Sequence, residues 1–256
     1  MKEDGLCHLF LRIKTIISSN GKRQCKSIKI TSMIKMNFSV DWKTAAKCCK
    51  KIIKNPADTK NIFVLATAVN GPSLISSYNK LLETKEGGEI ACKLPEFTDL
   101  YPLLEKCPEG SVGHELLINQ KYSLEGLIRI SKRGTSNSIN VKHPYMWMAR
   151  RQRDTHDLNH TLTGYQMDVL GEGCVAAFTY AQTKSYQWGL IFLVGIWMFK
   201  RSPRKIAAMF EAYKRGKKCS WLLGENFETM IYENLEECRK RLNLPEAKIY
   251  EEVIKN

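Results

Sequence analysis

The chain has 256 residues, 43% of them hydrophobic and 26% charged, with a net charge of +14. This length and composition describe a globular protein with ample material for a core, and exclude a collagen-like or low-complexity chain. The basic balance favours an anionic partner, whether nucleic acid, an acidic lipid headgroup or a phosphorylated ligand. No zinc-finger spacing, RNP-like aromatic motif or basic heptad helix supports nucleic acid.

Residues 1–40 differ from the rest. Between Asp4 and Asp41 there is no acidic residue, while Arg12, Lys14, Lys22, Arg23, Lys26, Lys29 and Lys35 are basic among scattered serines and threonines. Two readings fit: a mitochondrial targeting peptide, or a segment without that role, either a disordered basic arm or the product of an upstream start codon with Met33 or Met36 as the true beginning.

From Asp41 onward the signals are helical. Asp41 suits the cap of a helix with Trp42, Ala45, Ala46, Cys49, Ile52 and Ile53 on one side. Pro56 and Asp58 suit the start of a second helix, which stops at Asn70-Gly71-Pro72. A third runs through "SLISSYNKLLE" and breaks at Gly87-Gly88. "FTDLYPLLEK" and "SVGHELLINQKY" read as short helical pieces in an irregular middle, closed by a loop over 131–144. Helical stretches follow at 145–168 and 172–184, then in "SPRKIAAMFEAYKRGKK" and "ENFETMIYENLEECRKRLN". With no convincing period-two run and no repeat, the expected fold class is all-α, a single irregular multi-helix domain over 41–245 with a tail at 246–256.

The block "WGLIFLVGIWMF", residues 188–199, is too short to span a bilayer, which needs about 20 residues, and reads better as a buried helix. After it, Lys200, Arg201, Arg204, Lys205, Lys214, Arg215, Lys217 and Lys218 are opposed by Glu211 alone. That cluster is either a solvated helix face or a contact with anionic lipid. The nine cysteines include no CxxC pair and are odd in number. Neither a disulfide framework nor a thiolate zinc site is suggested, and reduced thiols fit best.

The stretch "HDLNHTLTGYQMDVLGE", residues 156–172, holds two of the five histidines. On a helix His156 and His160 lie about 40° apart, one turn above each other, with Asp157 on the same arc. Two imidazoles so spaced can hold one metal ion, as in HExxH helices. Neutral imidazole and carboxylate would suit zinc, manganese or iron(II). Glu172 follows a glycine-punctuated turn and could face back toward the histidines from a neighbouring helix; it could equally sit in a helix's first turn, where an anion is welcome. The pattern fits either a metal site or a hydrogen-bonded polar helix. Proteolysis is disfavoured, because the position of the zincin glutamate holds the shorter Asp157. Tyr165, Asp168 and His143 are the nearby candidates for a general acid, and Arg150, Arg151 and Arg153 could add positive field near the site.

His156, Asp157, His160 and, after eleven residues, Glu172 reproduce the HDxxH-x11-E signature of the ubiquinone (coenzyme Q) biosynthesis protein Coq-four family. Thr161, Gly164 and the "LGE" around Glu172 belong to the same match. "KNPADTKNIFVLATAVNG", "CPEGSVGHELL" and "GENFETMIYENLEECRKRLNLP" resemble other segments of that family, so the likeness covers roughly residues 43–245. The resemblance implies an all-helical fold with a hydrophobic lipid tunnel. It implies His156, Asp157, His160 and Glu172 as ligands of a divalent metal, usually taken as zinc, with Fe2+, Mn2+ or Mg2+ as alternatives. His156 and His160 would be the catalytic pair through that ion.

The implied activity is oxidative decarboxylation at C1 of a 4-hydroxy-3-methoxy-5-polyprenylbenzoate. The implied setting is the matrix face of the mitochondrial inner membrane or the cytoplasmic face of a bacterial membrane. Implied partners are the polyprenylated hydroxybenzoate or quinone precursor, an anionic membrane surface and other ubiquinone-biosynthesis proteins, with no nucleic acid; the sequence leaves open whether the chain forms a homo-oligomer. A non-catalytic scaffold that presents polyprenyl intermediates is the alternative.

Overall fold

The structure is a computed structural model that describes residues 16–17, 23–24, 39–56, 59–119 and 143–255. The chain divides into two units, Met1–Asn37 and Phe38–Asn256. In the first, β1 (Ile16–Ile17) pairs antiparallel with β2 (Arg23–Gln24). The two readings of the basic leader, the helix start expected at Asp58 and most of the loop expected at 131–144 lie outside the described residues.

The second unit is all-α. Its first helix, α1 (Trp42–Lys54), is capped by Asp41, whose carboxylate accepts from the Thr44 amide at 2.9 Å. The face α1 buries consists of Ala45, Cys48 and Ile52, and Trp42 stands out in solvent. This face is rotated from the one the sequence suggests, because Cys48 behaves as a small apolar residue. α2 (Thr59–Val69) ends where expected, and α3 (Gly71–Glu83) starts with Pro72 in its first turn. The break after α3 falls at Thr84–Glu86, and Gly87 opens a further helix, α4 (Gly87–Lys93). A 3-10 turn (Phe97–Leu100), α5 (Tyr101–Leu104) and α6 (Val112–Asn119) make up the irregular middle.

The stretch expected as one helix over 145–168 is two: α7 (Pro144–Asp154) and α8 (His156–Thr163), parted at Thr155. Gly164 closes α8 at φ +78°, a left-handed position suited to glycine, and its N–H returns to the His160 carbonyl at 2.9 Å. Next come α9 (Val169–Thr183), α10 (Tyr186–Met198) and α11 (Pro203–Lys218). α12 (Phe227–Met230) and α13 (Leu235–Arg241) replace the single closing helix, and Asn234 caps the second. The segment after Pro245 is helical as well: α14 (Lys248–Lys255) buries Tyr250 completely.

α9 is the centre of the domain. Its small residues let neighbours approach closely: Met209 of α11 reaches into the space left by Gly173 of α9 and Gly195 of α10. Around this lie Leu170, Val175, Phe192 and Tyr250 in one cluster. A second cluster joins Leu158 and Leu162 of α8 to Leu104, Leu116, Met230 and Leu242, and it anchors the histidine helix from below. A third joins α1, α2 and Val194 of α10. Among the described residues no helix is long and apolar enough to cross a membrane.

Candidate metal centre

The junction of α8 and α9 brings three of the four signature residues together. His156 and His160 meet edge to face, with ring centroids 4.8 Å apart, and their Nε2 atoms face each other at 3.3 Å. Glu172, in the first turn of α9, completes a triangle: Oε2 lies 3.3 Å from His156 Nε2 and Oε1 lies 3.5 Å from His160 Nε2. Its position is set by Asp168, which caps α9 by accepting from the amides of Leu170 and Gly171 and is held by the Tyr250 hydroxyl at 2.8 Å. Asp157 stays outside this group of three donors.

Both rings are held from behind. His160 Nδ1 lies 2.9 Å from the carbonyl of Tyr165. A carbonyl only accepts, so the ring hydrogen sits on Nδ1 and Nε2 presents its lone pair to the triangle. His156 stacks on Trp188 of α10, with centroids 5.3 Å apart and planes 6° from parallel. Its Nδ1 is buried without a hydrogen-bond partner.

The electrostatics follow from this packing. Burial works to lower the His156 pKa, but the charge and hydrogen bond of Glu172, with Asp157 behind them, raise it above the ordinary histidine value. Burial works to raise Glu172, and His156 and His160, when protonated, hold it well below the carboxylate range through their charge and the hydrogen bonds they then donate. Burial raises Asp157, against the pull of His156 and His160.

Two imidazole lone pairs aimed at one another repel unless a proton or a cation lies between them. For ligand distances of about 2.0–2.2 Å, donors around a tetrahedral ion sit about 3.3–3.6 Å apart. The 3.3 Å between the two Nε2 atoms falls in that range, each faces one Glu172 oxygen at 3.3 or 3.5 Å, and the donor set of two nitrogens and a carboxylate, within 4.8 Å of one another, suits a small divalent ion. Three protein donors around a tetrahedral ion would leave one coordination position for water or substrate.

Two of the candidate general acids are engaged as helix caps, and the third is buried away from the triangle. His143 caps α7 by accepting from the Tyr145 amide, and Asp168 caps α9. The Tyr165 hydroxyl is buried in the core, with the Arg215 guanidinium over its ring. The arginine trio is also committed: Arg150 pairs with Glu96 at 2.7 Å and Arg153 with Asp154 at 2.6 Å. Arg151 is buried and donates to the carbonyls of Leu223 and Glu225.

Supports with no signal in the sequence motif are Trp188 and two arginines. Arg239 of α13 donates to the carbonyls of Thr161 and Leu162, and Arg215 of α11 to that of Thr163. These contacts satisfy the last carbonyls of α8 with positive charge where the helix dipole is negative.

The class defined here is a helical domain with a histidine–carboxylate donor triangle at a helix junction. The chain matches the family described as Coenzyme Q (ubiquinone) biosynthesis protein Coq4 over residues 31–248, and it belongs to that family. It is 24% identical over 204 residues to the mitochondrial ubiquinone biosynthesis protein COQ4 homolog of Danio rerio, covering 77% of this chain and 73% of that protein. It is 22% identical to the mitochondrial ubiquinone biosynthesis protein COQ4 of Podospora anserina, covering 75% of this chain and 64% of that protein. A crystal structure from Nostoc punctiforme, named provisionally as a ubiquinone biosynthesis protein, shares the fold with a TM-score of 0.57 and 20% identity, over 80% of this chain and 99% of the other.

Proposed function

We propose that this member of a ubiquinone-biosynthesis family is a metal-dependent enzyme. Its reaction would remove the C1 carboxylate of a 4-hydroxy-3-methoxy-5-polyprenylbenzoate and place a hydroxyl on the same carbon. The observation that carries the reading is the triangle of His156, His160 and Glu172 with one side left for a further ligand. A divalent ion, zinc first among the candidates, would supply a Lewis acid for an anionic carboxylate and for charge developing on the ring. Asp157 would complete the ligand set or orient it from beside the triangle.

The chain's own residues do the rest. Tyr165 and Trp188 fix the two imidazoles, so the donor atoms need no rearrangement when the headgroup arrives. The reaction exchanges a carbon–carbon bond for a carbon–oxygen bond, a two-electron oxidation of the substrate. Dioxygen together with a two-electron donor balances it: one oxygen atom enters the ring, the other leaves as water, and the carboxylate leaves as carbon dioxide. The polyprenyl tail would occupy an apolar tunnel and remain continuous with lipid, so the protein would act as a peripheral protein at the membrane. The names of the two relatives, both mitochondrial, support a mitochondrial setting, in which the protein would sit on the matrix face of the inner membrane.

The second reading is a scaffold that presents polyprenyl intermediates to other enzymes. It is favoured by the engagement of His143 and Asp168 as helix caps and by the burial of the Tyr165 hydroxyl in the core. The deciding assay supplies purified, metal-loaded protein with a farnesylated 4-hydroxy-3-methoxybenzoate, dioxygen and reductant. Release of carbon dioxide with a ring-hydroxylated product, lost in His160→Ala, supports the enzyme. Binding of the compound with no turnover by wild type leaves the scaffold.

A further inference from the structure

The loop that joins the histidine helix to the glutamate helix is held by the far end of the chain. Residues 164–168 carry the Tyr165 carbonyl, which meets His160 Nδ1, and Asp168, which caps α9 one turn before Glu172. A shift of this loop therefore moves two corners of the donor triangle at once. The loop has little packing of its own, because Gln166, Met167, Asp168 and Val169 are all exposed and only Tyr165 is buried.

Tyr250 of α14 touches that loop at three points. Its hydroxyl donates to Asp168 Oδ2 at 2.8 Å and accepts from the Gln166 amide at 2.9 Å. Its ring meets the Tyr165 ring edge to face, with centroids 4.8 Å apart. The side chain is fully buried, and burial beside the Asp168 carboxylate raises the phenol pKa, so the hydroxyl keeps the proton it donates.

α14 is itself tied down. The Ile249 amide donates to Glu211 of α11 at 3.0 Å, and Ala247 and Tyr250 share a cluster with Leu170, Cys174 and Met209. Arg215 of α11 donates to the Pro245 carbonyl at 2.7 Å and to the Thr163 carbonyl at 3.1 Å. The approach to α14 and the end of α8 thus share one guanidinium.

We infer that Tyr250 is a positioning residue for the donor triangle, and that α14 is a clamp that fixes His160 and Glu172 through the loop between them. Tyr250 touches no donor atom, and it lies outside both the signature and the family match at 31–248. The inference rests on the metal reading above and extends it to the end of the chain. The coupling is reciprocal: if docked α14 favours the metal-ready triangle, a bound ion favours docked α14.

The test is the zinc affinity of the full chain, by competition with a chromophoric chelator, together with the visible spectrum of the cobalt-loaded protein. Tyr250→Phe keeps the ring and removes both hydroxyl bonds, while Ile249→Ala trims apolar packing of the same helix and keeps the hydroxyl. Both should lower the melting temperature, and each is measured well below it. Tyr250→Phe is expected to weaken zinc binding by about tenfold, the lower end of what an outer partner gives, and to change the cobalt spectrum. Ile249→Ala is expected to keep the wild-type affinity and spectrum. Hydrogen exchange reads the reverse direction: saturating zinc should slow exchange across 248–255 in wild type, and less in Tyr250→Phe. Equal affinity in wild type and Tyr250→Phe overturns the clamp and leaves the metal reading standing. So does a loss of affinity that follows melting temperature alike in both variants, or exchange across 248–255 that zinc leaves unchanged. Wild type that takes up no zinc overturns both.

Discussion

His160 and Tyr165 are joined by a 2.9 Å contact between Nδ1 and the main-chain carbonyl, and that contact decides what the other ring nitrogen can do. With its hydrogen committed to the carbonyl, the imidazole turns a lone pair toward His156 and Glu172. The first prediction follows. His156→Ala, His160→Ala and Glu172→Gln should each weaken zinc binding by more than the roughly 10–100-fold typical of losing an outer partner. Equilibrium dialysis with metal analysis measures this, and three variants that retain wild-type affinity would remove the metal reading altogether.

The second prediction concerns pH. Glu172 raises the His156 pKa, so near neutrality the metal-free site holds more protonated imidazole than an ordinary histidine would. A metal ion needs the neutral ring, so binding must expel that proton. Apparent affinity should therefore fall as pH falls through and below the histidine range, and calorimetry in buffers of different ionisation enthalpy should show net proton release. In Glu172→Gln the raised pKa loses its main cause, and proton release at neutral pH should shrink. Proton uptake on binding would contradict the arrangement.

Much of this site was legible in the sequence because it is local. His156 and His160 are one helical turn apart, and Glu172 is separated from them only by a turn that Gly164 and Asp168 define. The supports were not legible, because they come from far along the chain. Arg239 reaches the end of α8 across 77 residues, and Trp188 looked like one more apolar residue of a buried block. The same limit applies to the helices. The helical stretch expected over 145–168 runs straight through Thr155, where the Thr155 hydroxyl bonds back to the Arg151 carbonyl and the chain starts a new helix. The segment after Pro245 reads as a tail because one buried residue, Tyr250, holds it through Asp168 and the Gln166 amide.

The third prediction separates holding the site from being it. Arg239 donates to the Leu162 carbonyl at 2.8 Å and to the Thr161 carbonyl at 2.9 Å, and it touches none of the donor atoms. Arg239→Met keeps the stem and removes both charged donors, leaving two helix-end carbonyls short of partners. The expected cost is about 2–4 kcal/mol in stability, read by denaturant titration. Zinc binding should weaken less than in His160→Ala, since the ligands remain. Loss of metal with undiminished stability would place Arg239 in the site itself.

The last prediction tests the close approach that brings α9 against its neighbours. A Cβ built on Gly216 of α11 would stand 2.6 Å from the Phe178 carbonyl oxygen and 2.9 Å from the Ala181 Cβ, both on α9. Neither atom belongs to a flexible side-chain end, so the helices themselves would have to part. Gly216→Ala should cost about 1–3 kcal/mol, or about 3–10 °C in Tm. Gly88 of α4 is the control, since nothing lies within 4 Å of a Cβ placed there. Gly88→Ala should be neutral or stabilise by about 0.5–1 kcal/mol, because alanine loses less backbone freedom in a helix. Because α9 also carries Glu172, the parting at Gly216 should lower zinc affinity as well, whereas the change at Gly88 should not. Equal effects of the two substitutions on Tm would show that helix contact at Gly216 is looser than the packing of α9 and α11 requires.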